Sequence, residues 1–425
     1  MILDPSLWGT YAGTFADWEE EGVREPYYKT PDGKVTLLHG HVLDVLREIP
    51  AESVNCVVTS PPYWSLRKYD CEPVIWGGES DCEHDWTEKP IAGEGYTGTA
   101  RWQHSENGRG EEQPTERRLR DPVSRETRPE AWSTALGATA TCSLCGAWRG
   151  QYGLEPTPEL YVEHTMMWLR EVRRVLRKDG ALWLNIGDGY ASGSSGHAGE
   201  SQLDGGEPSG SRSLGRIKPP GNGLKAKDAV LMPFRVALAA QAEGFWVRSV
   251  IIWHKNNPMP ESVKDRPTDA HEYIFLLTKS KTYWYDAEAV REPHADSTLE
   301  RYAKNAKATN FQDGTKNADR DSYKGWGDYA PSGLNPDGRR NCRSVWTFPT
   351  EPFPDAHFAV FPRELPERCI KAGAPVDGVV LDPFAGSGTT CEVAYHLGCR
   401  AIGIDASAKY LDMAVKRLSQ EVLAL

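Results

Sequence analysis

Apolar positions along the chain alternate between a period of two and a period near 3.6, and the switches mark out short strands and amphipathic helices. VTLLHG (35–40) predicts a strand, LDVLREI (43–49) a short helix, and VNCVVTS (54–60) a buried strand. Pro61-Pro62 stops that strand abruptly, since proline cannot donate to a sheet ladder. In PELYVEHTMMWLREVRRVLRKDG (158–180), Leu160, Trp168, Val172, Val175 and Leu176 keep helical spacing, and Gly180 is expected to close the helix. ALWLNIGD (181–188) reads as a strand. A helix over 228–243 follows, then strand-like runs VRSVIIWH (247–254), YIFLLT (273–278) and TYWYD (282–286), the last two placed to form a hairpin. VVLDPF (379–384), a helix from Thr389, AIGID (401–405) and a helix over 407–422 make a βαβα unit. Strands alternating with helices imply an α/β protein with a mostly parallel, doubly wound sheet.

Between these elements lie polar stretches without periodicity. Residues 1–33 form an N-terminal extension with Trp8, Tyr11, Phe15 and Trp18 among acidic residues. Residues 87–141 are Gly- and Arg-rich and read as a flexible insertion, 191–224 as a Gly/Ser-rich mobile loop, and 291–341 as irregular polar chain. A mean hydropathy of −0.56 and the absence of an apolar run of spanning length predict a soluble protein without a membrane partner. MILDPSLWGTYAG lacks the basic-then-apolar order of a secretory signal, and nine cysteines, an odd number, suit reduced thiols in the cytoplasm.

The net charge of −11 fits an ordinary acidic enzyme with a small substrate better than a nucleic-acid binder. Only charge lining a contact groove acts through salt, however, and basic clusters occur at 116–120 (ERRLR), 170–178 (REVRRVLRK) and 338–343 (GRRNCR). The first and last sit in loop-like sequence and are the DNA candidates; the middle one reads as the solvated face of a helix.

Two segments carry the chemistry. DPFAGSGTT (382–390) follows a buried strand and opens a helix, so glycines let backbone pass close to a ligand and the helix start offers free N–H donors. A dinucleotide site would show G-x-G-x-x-G with an acid about 20 residues on; here G-x-G runs into Thr-Thr. The next strand ends in Gly403-Ile404-Asp405, where a carboxylate can accept both hydroxyls of a ribose. The second segment, Ser60-Pro61-Pro62-Tyr63, leaves the C-terminal end of a buried strand, where open α/β sheets place their chemistry. Ser60 Oγ and the Pro61 carbonyl suit acceptance of hydrogen bonds from an amino group, and the proline pair keeps its carbonyls free of competing donors.

Together these segments resemble the β group of AdoMet (S-adenosylmethionine)-dependent amino DNA methyltransferases, in which the catalytic loop precedes the cofactor loop. The resemblance implies a Rossmann-like methyltransferase fold with circularly permuted motif order and inserted target-recognition regions, to which the cysteine and histidine spacing described below adds a zinc-knuckle insertion. It implies Asp382, Phe384, Gly386, Gly388 and Thr389 on AdoMet, Asp405 on its ribose, and Ser60, Pro61, Pro62 and Tyr63 as the catalytic loop, with Tyr63 stacking on a flipped base. HFAVFPRELPERC (357–369) looks like the segment that closes over the methionine end, and His41 stands where the family usually has an Asp near the adenine. IIWHKNNPMPES (251–262) and HEYIFLLTKS (271–280) are also similar to the family. They point to Trp253 or His254 in the base pocket and Lys255 near a phosphate, with Trp64 a further substrate candidate. In these families SPPY usually goes with cytosine N4, DPPY with adenine N6 and NPPY with RNA adenine or protein glutamine. Site-specific methylation of cytosine N4 in double-stranded DNA is therefore expected, with adenine N6 the alternative. An inactive zinc-containing DNA-binding protein is a more distant reading. The resemblance leaves room for a companion restriction endonuclease and for a homodimer.

Cys82-Glu83-His84 and Cys142-Ser143-Leu144-Cys145-Gly146 offer three thiolates and an imidazole, and C-x-x-C before Gly is knuckle geometry. A structural zinc held by Cys82, His84, Cys142 and Cys145 is expected, with Cys71 the alternative to His84 as fourth ligand. The organisation expected is an extension (1–33), the catalytic-loop half (34–70), a zinc-binding insertion (71–150), a core region (151–290), a target-recognition region (291–344) and the AdoMet-binding half (345–425).

Overall fold

A computed structural model describes residues 24–69, 71–88, 140–191, 224–295, 297, 339–351 and 361–422. The expectations for the first 23 residues, for most of the 87–141 and 191–224 segments, for 298–338 and for 352–360 lie outside the described residues.

The N-terminal part supplies β1 (Tyr28–Lys29), β2 (Val35–His39), α1 (Val42–Glu48) and β3 (Val54–Thr59). Four short strands follow: β4 (Val74–Trp76), β5 (Trp86–Glu88), β6 (Ala140–Cys142) and β7 (Trp148–Gly150). Then come α2 (Pro158–Val175), β8 (Leu176–Ile186), α3 (Met232–Ala242), β9 (Trp246–His254), β10 (His271–Thr278), β11 (Glu292–Pro293), β12 (Arg339–Arg340) and β13 (Val345–Thr347). The chain closes with α4 (Glu364–Gly373), β14 (Val379–Asp382), α5 (Thr389–His396), β15 (Arg400–Asp405) and α6 (Ala408–Val422).

Nine strands form one sheet in the order β1-β2-β15-β14-β3-β8-β10-β9-β13. Its centre, from β2 through β15, β14 and β3 to β8, is parallel, while β10 runs antiparallel to both β8 and β9. Alternate side chains feed two cores, as a strand's period of two requires. Leu182, Leu184 and Ile186 of β8 join Leu46, Trp168 and Val236 beneath α1, α2 and α3. Ala181 and Trp183 face Leu365, Cys369, Cys391 and Leu411 beneath α4, α5 and α6. The C-terminal βαβα unit is thus wedged between two N-terminal strands, β2 and β3. A separate four-stranded sheet, β4-β7-β6-β5, stands beside it.

Two expectations are corrected. Helix α2 ends at Val175, not at Gly180: Leu176 turns extended (ψ 133°) and enters β8 directly. Residues 177–180 then bulge between the Val54–Leu176 and Cys56–Ala181 pairs, and a Cβ on Gly180 would come 2.7 Å from Leu176 Cγ and 3.0 Å from the Asn55 carbonyl. The expected hairpin of 273–278 with 282–286 does not form, because both edges of β10 are already occupied by β8 and β9. Residues 283–286 run on without strand structure, and the Trp284 amide donates to the Asp179 carbonyl at 2.8 Å.

Candidate active site

All the parallel strands point their C-terminal ends at one edge of the sheet, and a cavity of about 710 Å³ opens there. Ser60 to Tyr63 leave the end of β3, Pro383 to Ser387 the end of β14, and Asp405 caps β15. The cavity brings together Ser60, Pro61, Pro62, Tyr63, Trp253, Lys255, Phe384, Gly386, Thr389 and Asp405. Asp382, Gly388, Trp64 and His254 do not line it.

Each residue outside the cavity has another place. Asp382 is 1 % exposed and fully engaged: Oδ1 accepts from the Thr59 hydroxyl (2.7 Å) and the Phe384 amide (3.1 Å), and Oδ2 from the Thr390 hydroxyl (2.7 Å). It ties the cofactor loop to the strand that carries Ser60. Gly388 holds φ +80° at the start of α5, where a Cβ would meet Ala414 Cβ at 2.7 Å. The Trp64 indole donates to the Glu155 carbonyl at 2.8 Å and packs into the core. His254 is exposed, with Nδ1 3.4 Å from the Thr347 hydroxyl.

The cofactor side combines open backbone with a buried charge. A Cβ on Gly386 would meet nothing within 4 Å, so that face of the loop is clear. The Gly386 amide donates to Asp405 Oδ2 and the Ser407 amide to Oδ1, each at 2.8 Å. Burial pushes the Asp405 carboxyl up to about 6 despite these two donors. Thr389 Oγ1 accepts from Arg417 at 3.0 Å, and Arg417 also pairs with the buried Glu392. Phe384 stacks on Tyr152 (5.6 Å, 20°) and meets Trp168 edge-on at 5.1 Å. His41 lines the cavity beside Trp76 (4.7 Å), and burial lowers its pKa.

On the opposite side a hydrogen-bond chain orients the catalytic loop. The Ser60 hydroxyl donates to the Tyr63 hydroxyl (3.1 Å), which in turn faces Glu272 Oε2 (2.7 Å) and Asn185 Oδ1 (3.1 Å). Tyr63 gives its one proton to the carboxylate side and so accepts from Ser60. Ser60, having donated its own proton away, is left as an acceptor. Burial, reinforced by the charge of Glu272, raises the Tyr63 phenol well above its usual range, so it stays protonated. Glu272 Oε1 pairs with Lys255, whose ammonium lies 4.7 Å over the Trp253 ring. Lys255 is therefore an interior partner of Glu272, not an outlying arm. The Pro62 carbonyl accepts from the Tyr161 hydroxyl at 2.9 Å, against the expectation that both proline carbonyls stay free. Among the described residues none donates to the Pro61 carbonyl.

Sequence reasoning missed Asn185 and Glu272. Asn185 is 2 % exposed, a polar residue inside the apolar run ALWLNI, which was its signal. Glu272 lay in a segment already singled out, but nothing local ties it to Tyr63, 209 residues away in sequence.

Beside the cavity, Cys82, His84, Cys142 and Cys145 converge with all four ligand atoms within 4.8 Å of one another. Cys82 Sγ and Cys142 Sγ are 3.8 Å apart, and Cys145 Sγ lies 3.4 Å from His84 Nδ1. Tetrahedral zinc with Zn–S bonds of about 2.3 Å would set sulfurs about 3.8 Å apart, so the donor set fits that ion. Cys71 is not part of the cluster; it lines the large cavity.

A permuted α/β sheet with two loops meeting over one cavity defines the AdoMet-dependent methyltransferase fold. The N6/N4 methyltransferase family model, described as DNA methylase, matches residues 54–416, and the chain belongs to that family. It is 33 % identical to the type II methyltransferase M.Cfr9I of Citrobacter freundii over 386 residues, covering 91 % of this chain and 88 % of that one. It is 38 % identical to M.SmaI of Serratia marcescens over 269 residues, covering 63 % and 77 %. Among solved structures it resembles the PvuII DNA methyltransferase, named as cytosine-N4-specific, at a TM-score of 0.50 and 16 % identity, covering 93 % of this chain and 89 % of that one. No described helix is long and apolar enough to cross a membrane.

Proposed function

We propose that the protein methylates the exocyclic N4 of cytosine at a specific sequence in duplex DNA, with AdoMet as donor and the base flipped into the cavity. The observation that carries this reading is Ser60, held as an acceptor beside the Pro61 carbonyl in the same cavity as Phe384, Gly386 and Asp405. AdoMet supplies an electrophilic methyl group. The chain's residues bind it through Asp405 on the ribose hydroxyls, Phe384 against the adenine, and the clear backbone at Gly386 with Thr389 lining the cavity beside it. Asp382 and Gly388 shape the loop rather than touch the cofactor.

Cytosine N4 is a poor nucleophile because its lone pair is delocalised into the ring. Acceptance of its two N–H groups by Ser60 Oγ and the Pro61 carbonyl favours a pyramidal nitrogen with its lone pair aimed at the methyl. Tyr63 is backed by Gly187, where a Cβ would come 2.6 Å from the ring, and offers its ring to the flipped base beside Trp253. Target recognition falls to residues 291–344, whose ends are clamped by β11 pairing with β12 and by Glu292 bridging Arg340 and Arg343. The four-donor cluster holds a structural zinc through Cys82, His84, Cys142 and Cys145. As the type II names of the relatives suggest, the enzyme acts alongside a restriction endonuclease of the same specificity.

The test is expression in cells lacking DNA methylation, digestion of their DNA to nucleosides, and mass spectrometry. N4-methylcytosine is expected, and Ser60→Ala should lower its formation on the order of a hundredfold or more while AdoMet still binds. N6-methyladenine would overturn the base assignment, and neither product the whole reading.

A further inference from the structure

The four donors sit at the turns of the small sheet: Cys82 and His84 between β4 and β5, Cys142 and Cys145 at the β6–β7 turn. Each of the four strands is three residues long. A sheet this small encloses almost no core of its own, so cross-linking its turns decides whether it is ordered. Its packing is already tight around the cluster, since a Cβ on Gly78 would lie 2.8 Å from Cys145 Sγ.

The same sheet reaches into the methyltransferase cavity. Trp76 of β4 is 2 % exposed, stacks on His164 (5.1 Å, 24°), and packs against Tyr152 (5.2 Å) and edge-on to His41 (4.7 Å). Trp148 of β7, paired with Trp76 across the ladder, approaches the same His164 at 5.4 Å. Glu155 anchors that imidazole from below at 3.0 Å. Gln151, just past β7, accepts from the Tyr69 amide at 3.2 Å and donates to the Cys71 carbonyl. Cys71, Val74, Trp76, Gln151 and Tyr152 all line the cavity, and Tyr152 stacks on Phe384 of the cofactor loop.

We infer that the zinc module is a wall of the AdoMet site, so that metal occupancy and cofactor affinity are thermodynamically coupled. The inference rests on the AdoMet and zinc assignments above. Metal loss would free the β4–β5 and β6–β7 turns, Trp76 would no longer be held against Tyr152, and Gln151 would no longer be fixed on Tyr69 and Cys71. By linkage, bound AdoMet must tighten metal binding by the same free energy that metal adds to AdoMet binding.

The experiment measures zinc content by mass spectrometry and AdoMet affinity by calorimetry, for the protein as purified, after chelation, after zinc is restored, and for Cys145→Ser and Trp76→Ala. Expected are about one zinc per chain, AdoMet affinity reduced about tenfold or more on chelation or in Cys145→Ser, and recovery when zinc is restored to the chelated protein. Trp76→Ala should keep its zinc and still bind AdoMet weakly, a result that global unfolding does not produce. Saturating AdoMet should slow zinc transfer to a chromogenic chelator. Zinc-free protein, or zinc-loaded Trp76→Ala, binding AdoMet within about twofold of the native protein would overturn the coupling. Native protein without zinc would overturn the metal assignment instead, and zinc-loaded native protein that binds no AdoMet would overturn the methyltransferase reading.

Discussion

Asp405 shows how one residue sets the conditions under which the site works. Burial lifts its carboxyl from 3.8 to about 6, because the charge has lost more by leaving water than the Ser407 and Gly386 amides and the nearby His39 restore. In the unliganded fold the ionised form is the penalised one, so this group favours stability below the ordinary carboxylate range and withdraws that support as pH rises to about 6. Ribose hydroxyls need the ionised form as acceptor, so cofactor binding has the opposite sign. AdoMet affinity should rise with pH up to about 6 and level off above it, changing by up to about tenfold per pH unit on the acid side. Calorimetric titrations at several pH values check this, and Asp405→Asn should flatten the profile; Asp382, also raised to about 6, would be responsible if the slope survived. The acid at the end of AIGID, the serine and the prolines could be singled out in the sequence because they stand at strand ends, and one cavity brings them together. Asp382 read as a cofactor contact because the sequence cannot show Thr59 and Thr390 closing over both of its oxygens. Glu272 was invisible as a partner of Tyr63 for a related reason: strand pairing, not spacing, brings them together.

At the scale of elements, the turn from β14 into α5 requires glycine at position 388. Its φ of +80° disfavours a side chain, and a Cβ would strike α6 at Ala414, 2.7 Å from Cβ and 3.3 Å from Cα. Gly388→Ala should cost roughly 1–3 kcal/mol of stability and weaken AdoMet binding by displacing the loop. Adding Ala414→Gly should recover the steric part and leave the backbone strain, so thermal unfolding of both single variants and the double variant separates the two. An equal loss in single and double variants would mean the clash is relieved by movement elsewhere. Most elements were readable from hydrophobic pattern: β3, β14 and β15 are short apolar runs buried on both faces, and α2 keeps an apolar stripe at helical spacing. The exceptions failed for physical reasons. Arg177 to Gly180 look like a helix stop, yet they are a bulge that lets Leu176 pair with Val54. TYWYD has strand composition, but β10 had no free edge left to offer it.

For the molecule as a whole, the consequence of the permuted order is that the site is assembled from the two ends of the chain. Thr59 and Asp382, hydrogen-bonded at 2.7 Å, are 323 residues apart, and β14 and β15 fit between β2 and β3 only after both ends are made. The first and last described segments also meet away from the site: the Tyr27 hydroxyl donates to Asp412 of α6 at 2.6 Å, and the Tyr28 hydroxyl is 3.4 Å from that of Ser419. Joining the chain ends by a flexible linker and reopening the chain within residues 298–338 should therefore leave the packed sheet intact. The rearranged chain would run β14, β15, β2, β3 in near-consecutive order, with the cofactor loop before the catalytic loop. It should bind AdoMet, while methylation of DNA should be lost, because the new ends fall inside the proposed target-recognition region. It should also refold faster, since the pairings at the centre of the sheet become less distant in sequence. Stopped-flow refolding and AdoMet titration check the folding and binding claims, and nucleoside analysis checks that the methylated product disappears. A rearranged chain that folds but binds no AdoMet would show that the native connection at 298–338 helps shape the cofactor loop, and that the order of the motifs is more than a change of starting point.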